Sequence, residues 1–124
     1  MDFKPATGID QVYVFRLPEV YLNRAEAYIK LDKITEANED LKKVRQRANV
    51  TSIQSYIDKS ELEYQIALER RVEFSFEGKR WFDLIRTNKA STTLGITKEY
   101  KLLLPIPQQL IFVDKEIDQT EGYN

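Results

Sequence analysis

Three glutamates, Glu69, Glu73 and Glu77, follow one another at intervals of four residues. On an α-helix this spacing places the three side chains in one row, because residues four apart are neighbours on the helix surface. Carboxylates gathered in this way could work as a general acid and base or could hold a hard metal ion. They could also form a salt-bridge network that fixes the helix to the turn after Gly78.

The neighbouring arginines favour the salt-bridge network. Arg70, Arg80 and Arg86 are the available partners of the glutamates, and interleaved positive charge suits ion pairs and opposes a cation site. A glycosidase needs two carboxylates that face each other across a sugar, which three carboxylates in one helix row do not provide. We therefore predict no catalytic residue and no metal ligand in this chain.

The composition narrows the chemistry further. The 124 residues include no His and no Cys, which removes the commonest general base, thiolate nucleophiles and Cys-based metal sites. The 19 Lys and Arg nearly balance the 20 Asp and Glu, so the net charge does not indicate nucleic acid as a partner. A basic cluster from Lys42 to Arg47 is offset by acidic residues on the same predicted helix. We expect a folded, helix-rich chain that is not an enzyme and uses no cofactor.

The elements that must position these residues are predicted to be mainly α-helical, beginning with a helical hairpin at about residues 16–49. Apolar periodicity predicts a first helix from Pro18 to about Leu31 and a second from an N-cap at Thr35 to about Ala48. Small residues at the helix crossing with large ones around them are typical of a tetratricopeptide-like hairpin. Such hairpins bury their faces against neighbouring repeats, so a single one leaves a face open.

The same periodicity predicts which side of each helix is buried. The inner face of the first helix is predicted to hold Leu17, Tyr21, Ala25 and Tyr28, widened by Val20, Ala27 and Leu31. The inner face of the second is predicted to hold Ala37, Leu41, Val44 and Ala48. Asn49 suits the left-handed conformation that ends many helices.

A third helix, which carries the glutamates, is predicted over about residues 60–78. Ser60 and Glu63 have the spacing of a capping box, and Gly78 suits the end of the helix. A further short helix should follow. The segment from about 89 to 124 is predicted to be turn-rich and irregular, with a loop at its start and an extended stretch before Pro105.

Five segments, in this order, resemble the SusD/RagB family. Residues 16–28 (R-L-P-E-V-Y-L-N-R-A-E-A-Y) resemble the helix near the start of its C-terminal region, and 44–50 (V-R-Q-R-A-N-V) resemble its N-x-V-R-x-R-A-G helix end. Residues 69–84 resemble its E-R-R-x-E-L-x-x-E-G-x-R-W-F-D-L signature, 103–107 its L-x-P-I-P segment, and 119–123 its terminal Q-N-P-G-Y. Asn49 replaces the usual Gly, and Thr120 and Glu121 replace Asn-Pro.

The resemblance implies a lipoprotein that captures glycans at the outer face of the bacterial outer membrane. Members of the family bind oligosaccharides without cleaving them and sit as a lid over a SusC-like TonB-dependent transporter. This chain, residues 1–124, would be the C-terminal scaffold part of such a protein, with the lipid anchor on an N-terminal part. A tetratricopeptide-type protein-interaction module without sugar binding is the alternative function.

Three aromatic residues are candidates for sugar contact, since sugar-binding sites stack rings on the apolar faces of sugars. Trp81 is the first by residue type, although its place within the Glu-Arg signature favours a packing role. Tyr56 and Tyr100 flank predicted loops. The resemblance implies that most of the glycan site lies in segments upstream of this region.

Overall fold

The helical prediction is confirmed. A computed structural model describes residues 15–50 and 54–123, and every regular element in them is helical. None of these helices is both long and apolar enough to cross a membrane. The chain divides into two compact units, Met1–Glu73 and Phe74–Asn124, and each is described by itself.

The first unit contains three long helices. Helix α1 covers Leu17–Lys30, α2 covers Ile34–Arg47 and α3 covers Lys59–Glu73. The predicted hairpin is formed by α1 and α2, and α3 packs mainly on α1. Residues exposed by no more than 2% form the core of this unit: Leu22, Ala25, Ile29, Ala37, Leu41, Val44, Leu62 and Ile66. Burial of each larger apolar side chain contributes about 1.5–3 kcal/mol to stability.

The predicted inner face of α1 was largely wrong. The buried row consists of Pro18, Leu22, Ala25 and Ile29. Leu17, Val20 and Leu31 are exposed by 63, 54 and 66% respectively. Apolar residues occur on both sides of this helix, so its periodicity fits two faces. The buried side includes Ala25, whose small side chain permits close approach of a neighbouring helix. On α2 the prediction holds except at Ala48, which is exposed.

The second helix begins without the predicted side-chain cap. Lys33 is the N-cap and makes no side-chain capping bond, while Thr35 lies within α2. The prediction for the other end is confirmed in conformation, since Asn49 has a φ of 57°. Asparagine tolerates this left-handed region better than other non-glycine residues do.

Helix α3 is shorter than predicted, and its cap differs. Ser60 lies inside the helix, and the capping oxygen is Oδ1 of Asp58, which accepts a hydrogen bond of 2.7 Å from the backbone N–H three residues later. The helix ends at Glu73, before the predicted end at 78, and a turn follows. In that turn Phe76 and Gly78 have φ values of 67° and 71°, which interrupt the helical path.

The second unit is built from short helices joined by turns. Helix α4 covers Arg80–Arg86, α5 covers Ala90–Leu94, a 3-10 helix covers Glu99–Leu102 and α6 covers Gln108–Val113. Helix α5 lies where a loop was predicted, and the 3-10 helix replaces most of the extended stretch. Buried Ala90 anchors α5 despite the low helix propensity of its Ser and Thr residues. Helix α6 also lies in the segment that was predicted to be irregular, and residues 114–123 after it are irregular as predicted.

Candidate functional site

Two glutamates of the row, Glu69 and Glu73, are held by ion pairs with arginines other than the predicted ones. Glu73, whose side chain is 8% exposed, accepts hydrogen bonds from Arg16 Nη1 at 2.7 Å and Arg47 Nη2 at 2.5 Å. Arg16 Nη2 also donates to the backbone carbonyl of Glu73 at 2.9 Å. One carboxylate thus joins the residue before α1, the last residue of α2 and the last residue of α3.

Glu69 and the neighbouring Arg70 follow the same arrangement. Glu69 pairs with Arg45 at 2.8 Å, with both side chains mostly buried. Arg70, which is 4% exposed, donates from Nη1 to Asn23 Oδ1 at 2.6 Å and lies 3.6 Å from Glu26. Arginines on the hairpin therefore neutralise Glu69 and Glu73. These two carboxylates are committed to holding three helices together, an arrangement that leaves them poorly suited to acid-base chemistry.

A second buried ion pair was not found from the sequence. Asp40, 1% exposed, accepts hydrogen bonds from Nε and Nη2 of Arg24 at 2.6 and 2.7 Å and from Lys43 at 3.1 Å. These bonds, above all that from Arg24, hold the pKa of Asp40 below its usual value, although burial acts in the opposite direction. Asp40 shares the inner face of α2 with Ala37 and Val44, because Asp40 follows Ala37 by three residues and Val44 follows it by seven. That spacing was the available signal.

Tyr56 lines an open groove in the first unit and is held firmly. Its backbone N–H donates to Asn38 Oδ1, and Asn38 Nδ2 donates back to its carbonyl, both at 2.8 Å. The hydroxyl accepts a hydrogen bond from Arg45 at 3.0 Å, and the guanidinium lies 5.6 Å from the ring centre. The groove measures about 570 Å³ and is lined by Ile34, Thr35, Asn38, Glu39, Lys42, Ser55, Tyr56 and Ile57.

Tyr100 lines another open groove, which belongs to the second unit and is called here the Tyr100 groove. Its volume is about 630 Å³, and it is lined by Glu99, Tyr100, Leu102, Leu103, Thr120, Glu121 and Gly122. The Tyr100 ring packs edge-to-face on Tyr123, with ring centres 5.2 Å apart. Its groove thus combines an aromatic ring, aliphatic side chains and two carboxylates.

Trp81 lies in the first turn of α4, is half-buried and lines neither groove. Each of the two grooves described above therefore contains one of the three aromatic candidates, Tyr56 or Tyr100. Whether any of them contacts a sugar stays a prediction. Within residues 15–50 and 54–123, no cluster of three or more acidic side chains is arranged to hold a metal ion.

Comparisons with known proteins identify the family to which this helical scaffold belongs. The sequence pattern of the SusD family matches residues 4–101. Across 99% of its length the chain is 35% identical to SusD-like protein P38 of Formosa agariphila, and across 89% it is 33% identical to the starch-binding protein SusD of Bacteroides thetaiotaomicron. The chain belongs to the SusD family, as its motifs predicted.

The shared segment is only part of these relatives. The matches cover 27% of the Formosa protein and 21% of the Bacteroides protein, so the chain spans about a quarter of their length. The crystal structure of a SusD-like protein from Bacteroides fragilis superposes on 90% of the chain with a TM-score of 0.71, covering 26% of that protein. At 24% identity, this likeness shows a common fold.

Proposed function

We propose that this chain is the C-terminal scaffold part of a protein that captures oligosaccharides at the outer face of the outer membrane. The observation that carries the proposal is family membership over residues 4–101, together with 33% identity to a protein named for starch binding. The captured glycan would pass to a SusC-like TonB-dependent transporter. A lipid anchor on an N-terminal part of the protein would keep it at the membrane.

The scaffold role is supported by what the family motifs do within the described residues. Glu69 and Glu73 of the signature pair with arginines from the hairpin. Gln119 and Tyr123, from the terminal motif, hydrogen-bond to the backbone of residues 103–106. Because these motif side chains are used in internal contacts, glycan recognition would fall to segments outside the motifs.

Calorimetric titration with starch oligosaccharides tests this proposal. We expect the complete product of the gene to bind, and the 124-residue chain to bind much more weakly, because a partial site loses contacts while the entropic cost of association remains. Equal affinity of the two would place the site within residues 1–124, and single substitutions of Tyr56, Trp81 and Tyr100 would then locate it.

The proposal also holds that the protein binds without hydrolysing. Two of the three glutamates of the row, Glu69 and Glu73, are not free to act as a general acid, since each is paired with arginine. We expect no product from oligosaccharides or aryl glycosides. Turnover that disappears in Glu69→Gln or Glu73→Gln would refute this part of the proposal.

Exposed apolar residues on α1 favour a second candidate, the protein-interaction module. Leu17, Val20 and Leu31 lie more than half exposed on the side of α1 away from its core row. A tetratricopeptide-type stack would cover such a face with another helix. Failure of the complete gene product to bind any glycan would favour this alternative.

A further inference from the structure

The end of the described chain forms a strap, residues 119–123, that builds one wall of the Tyr100 groove. The Gln119 carboxamide accepts a hydrogen bond from Ile106 N–H at 2.8 Å and donates to the Ile106 carbonyl at 3.0 Å. The Tyr123 hydroxyl donates to the carbonyl of Leu103 at 3.0 Å. Bonds at both ends of the strap hold its middle residues, Thr120 to Gly122, against the groove.

Contact between Gly122 and the Tyr100 ring decides what the groove can accept. A Cβ atom on Gly122 would lie 2.5 Å from Cγ of Tyr100, so the glycine backbone packs directly on the ring. Tyr123 packs against the same ring edge-to-face. Sugar stacking needs an open aromatic face, and contact with Gly122 and Tyr123 leaves little of the Tyr100 ring face open. The remaining apolar surface comes from Leu102 and Leu103, whose aliphatic groups suit aliphatic side chains.

Two carboxylates without partners give the groove its charge. Glu99 belongs to the 3-10 helix and Glu121 to the strap, so each of the two segments that form the groove contributes one. Both are exposed, and within residues 15–50 and 54–123 neither makes a side-chain hydrogen bond or ion pair. By contrast, Glu69 and Glu73 in the first unit are fully paired. A cation placed between the two walls would gain from both charges.

We propose that the Tyr100 groove is a docking site for a short segment of a partner protein in which an arginine or lysine stands beside an aliphatic residue. The carboxylates of Glu99 and Glu121 take the positive charge, and Leu102 and Leu103 pack against the aliphatic neighbour. A volume of about 630 Å³ suits two or three side chains. This interaction is separate from glycan capture and does not depend on it.

A cation from the chain itself already lies close to the groove. Lys98 Nζ is 5.9 Å from the centre of the Tyr100 ring, at the outer limit for a cation–π contact. The positive charge of Lys98 therefore lies close to the place that a docked cation would take. A docked arginine would compete with Lys98, so Lys98→Met should strengthen docking slightly.

The test uses the 124-residue chain and capped tripeptides of leucine-arginine-leucine and leucine-lysine-leucine, with leucine-glutamine-leucine as the neutral control. We expect both basic peptides to shift the amide NMR signals of Leu103, Glu121 and Gly122, with affinity that falls as salt is added. Glu99→Gln or Glu121→Gln should weaken binding about threefold, and the double variant about tenfold. Glu116→Gln, an exposed glutamate of the same tail, should change nothing.

Several results would overturn the proposal. The neutral peptide binding as well as the basic ones, the double variant keeping full affinity, or no shift with any peptide would each do so. Starch oligosaccharides are titrated in the same NMR experiment, with and without the basic peptide. If they shift the same three amides and displace the peptide, the groove is a glycan subsite and the docking proposal is wrong.

Discussion

Replacing Glu73 with alanine removes the carboxylate that joins α1, α2 and α3 at one point. Arg16 and Arg47 both lose their hydrogen bond to this carboxylate, while the backbone carbonyl of residue 73 still accepts a hydrogen bond from Arg16. We expect the Glu73→Ala variant to have a markedly lower free energy of unfolding and unchanged ligand binding. The effect should be confined to folding, since Glu73 lines neither the groove at Tyr56 nor the Tyr100 groove.

The magnitude follows from burial. Breaking a fully buried ion pair costs about 3–5 kcal/mol, and an exposed pair contributes about 0–1 kcal/mol. Glu73 is 8% exposed and Arg16 22%, whereas Arg47 is 58% exposed. The Arg16 pair therefore dominates, and solvent screening reduces the total to about 2–3 kcal/mol. For a unit of this size that corresponds to a fall in melting temperature of roughly 10–15 °C.

Thermal unfolding followed by circular dichroism at the helix band measures the change, since the three long helices supply most of the signal. Glu39→Ala, on the exposed side of α2, is the matched control and should cost less than about 0.5 kcal/mol. A double-mutant cycle should show stronger coupling of Glu73 to Arg16 than to Arg47. The reasoning fails if Glu73→Ala is no more destabilising than the control, or if the coupling to Arg47 is the larger.

Two further outcomes follow from the ion pairs and the strap. Arg24 holds the pKa of Asp40 below its unfolded value, so the stability from this pair is present above the unfolded pKa and is lost as pH falls through the folded pKa. Asp40→Asn should lower the urea midpoint of unfolding at neutral pH and lessen the fall of that midpoint on acidification. An unchanged pH dependence of the midpoint in the acidic range would contradict this. Gly122→Ala should cost about 2–4 kcal/mol, because it adds a clash with Tyr100 to the strain of a positive φ. Gly95→Ala, with a φ of 66° and nothing within 4 Å of the added Cβ, should cost only about 1 kcal/mol, and equal losses would show that the strap contact is unimportant.

Local patterns were sufficient to predict the helices but not all their faces. Helix α2 has one apolar stripe, so Ala37, Leu41 and Val44 were predicted correctly as buried. Helix α1 has apolar residues on two sides, and periodicity cannot choose between them. The choice depends on which side α2 and α3 cover, which is tertiary information.

The short elements of the second unit were harder to predict, because propensity is nearly neutral there. Helix α5 consists largely of Ser and Thr, which disfavour helix in isolation, and it forms around buried Ala90. The 3-10 helix at Glu99–Leu102 lies where residues before Pro105 were expected to be extended. Extended backbone begins only at Leu103, because the steric effect of Pro105 acts on the residue directly before it and does not extend to the residues of the 3-10 helix.

The glutamate row shows why side-chain roles need the fold even when the row itself is evident. Spacing alone placed Glu69 and Glu73 on one side of α3, and the nearest arginines in sequence were taken as partners. Their partners, Arg45, Arg47 and Arg16, instead come from positions 24 to 57 residues away in the chain. Arg16 and Arg47 lie at opposite ends of the hairpin sequence. Glu73 can therefore pair with both of them only when α1 and α2 are packed together. A signature rich in Glu and Arg is therefore better explained by assembly of three helices than by chemistry on a ligand.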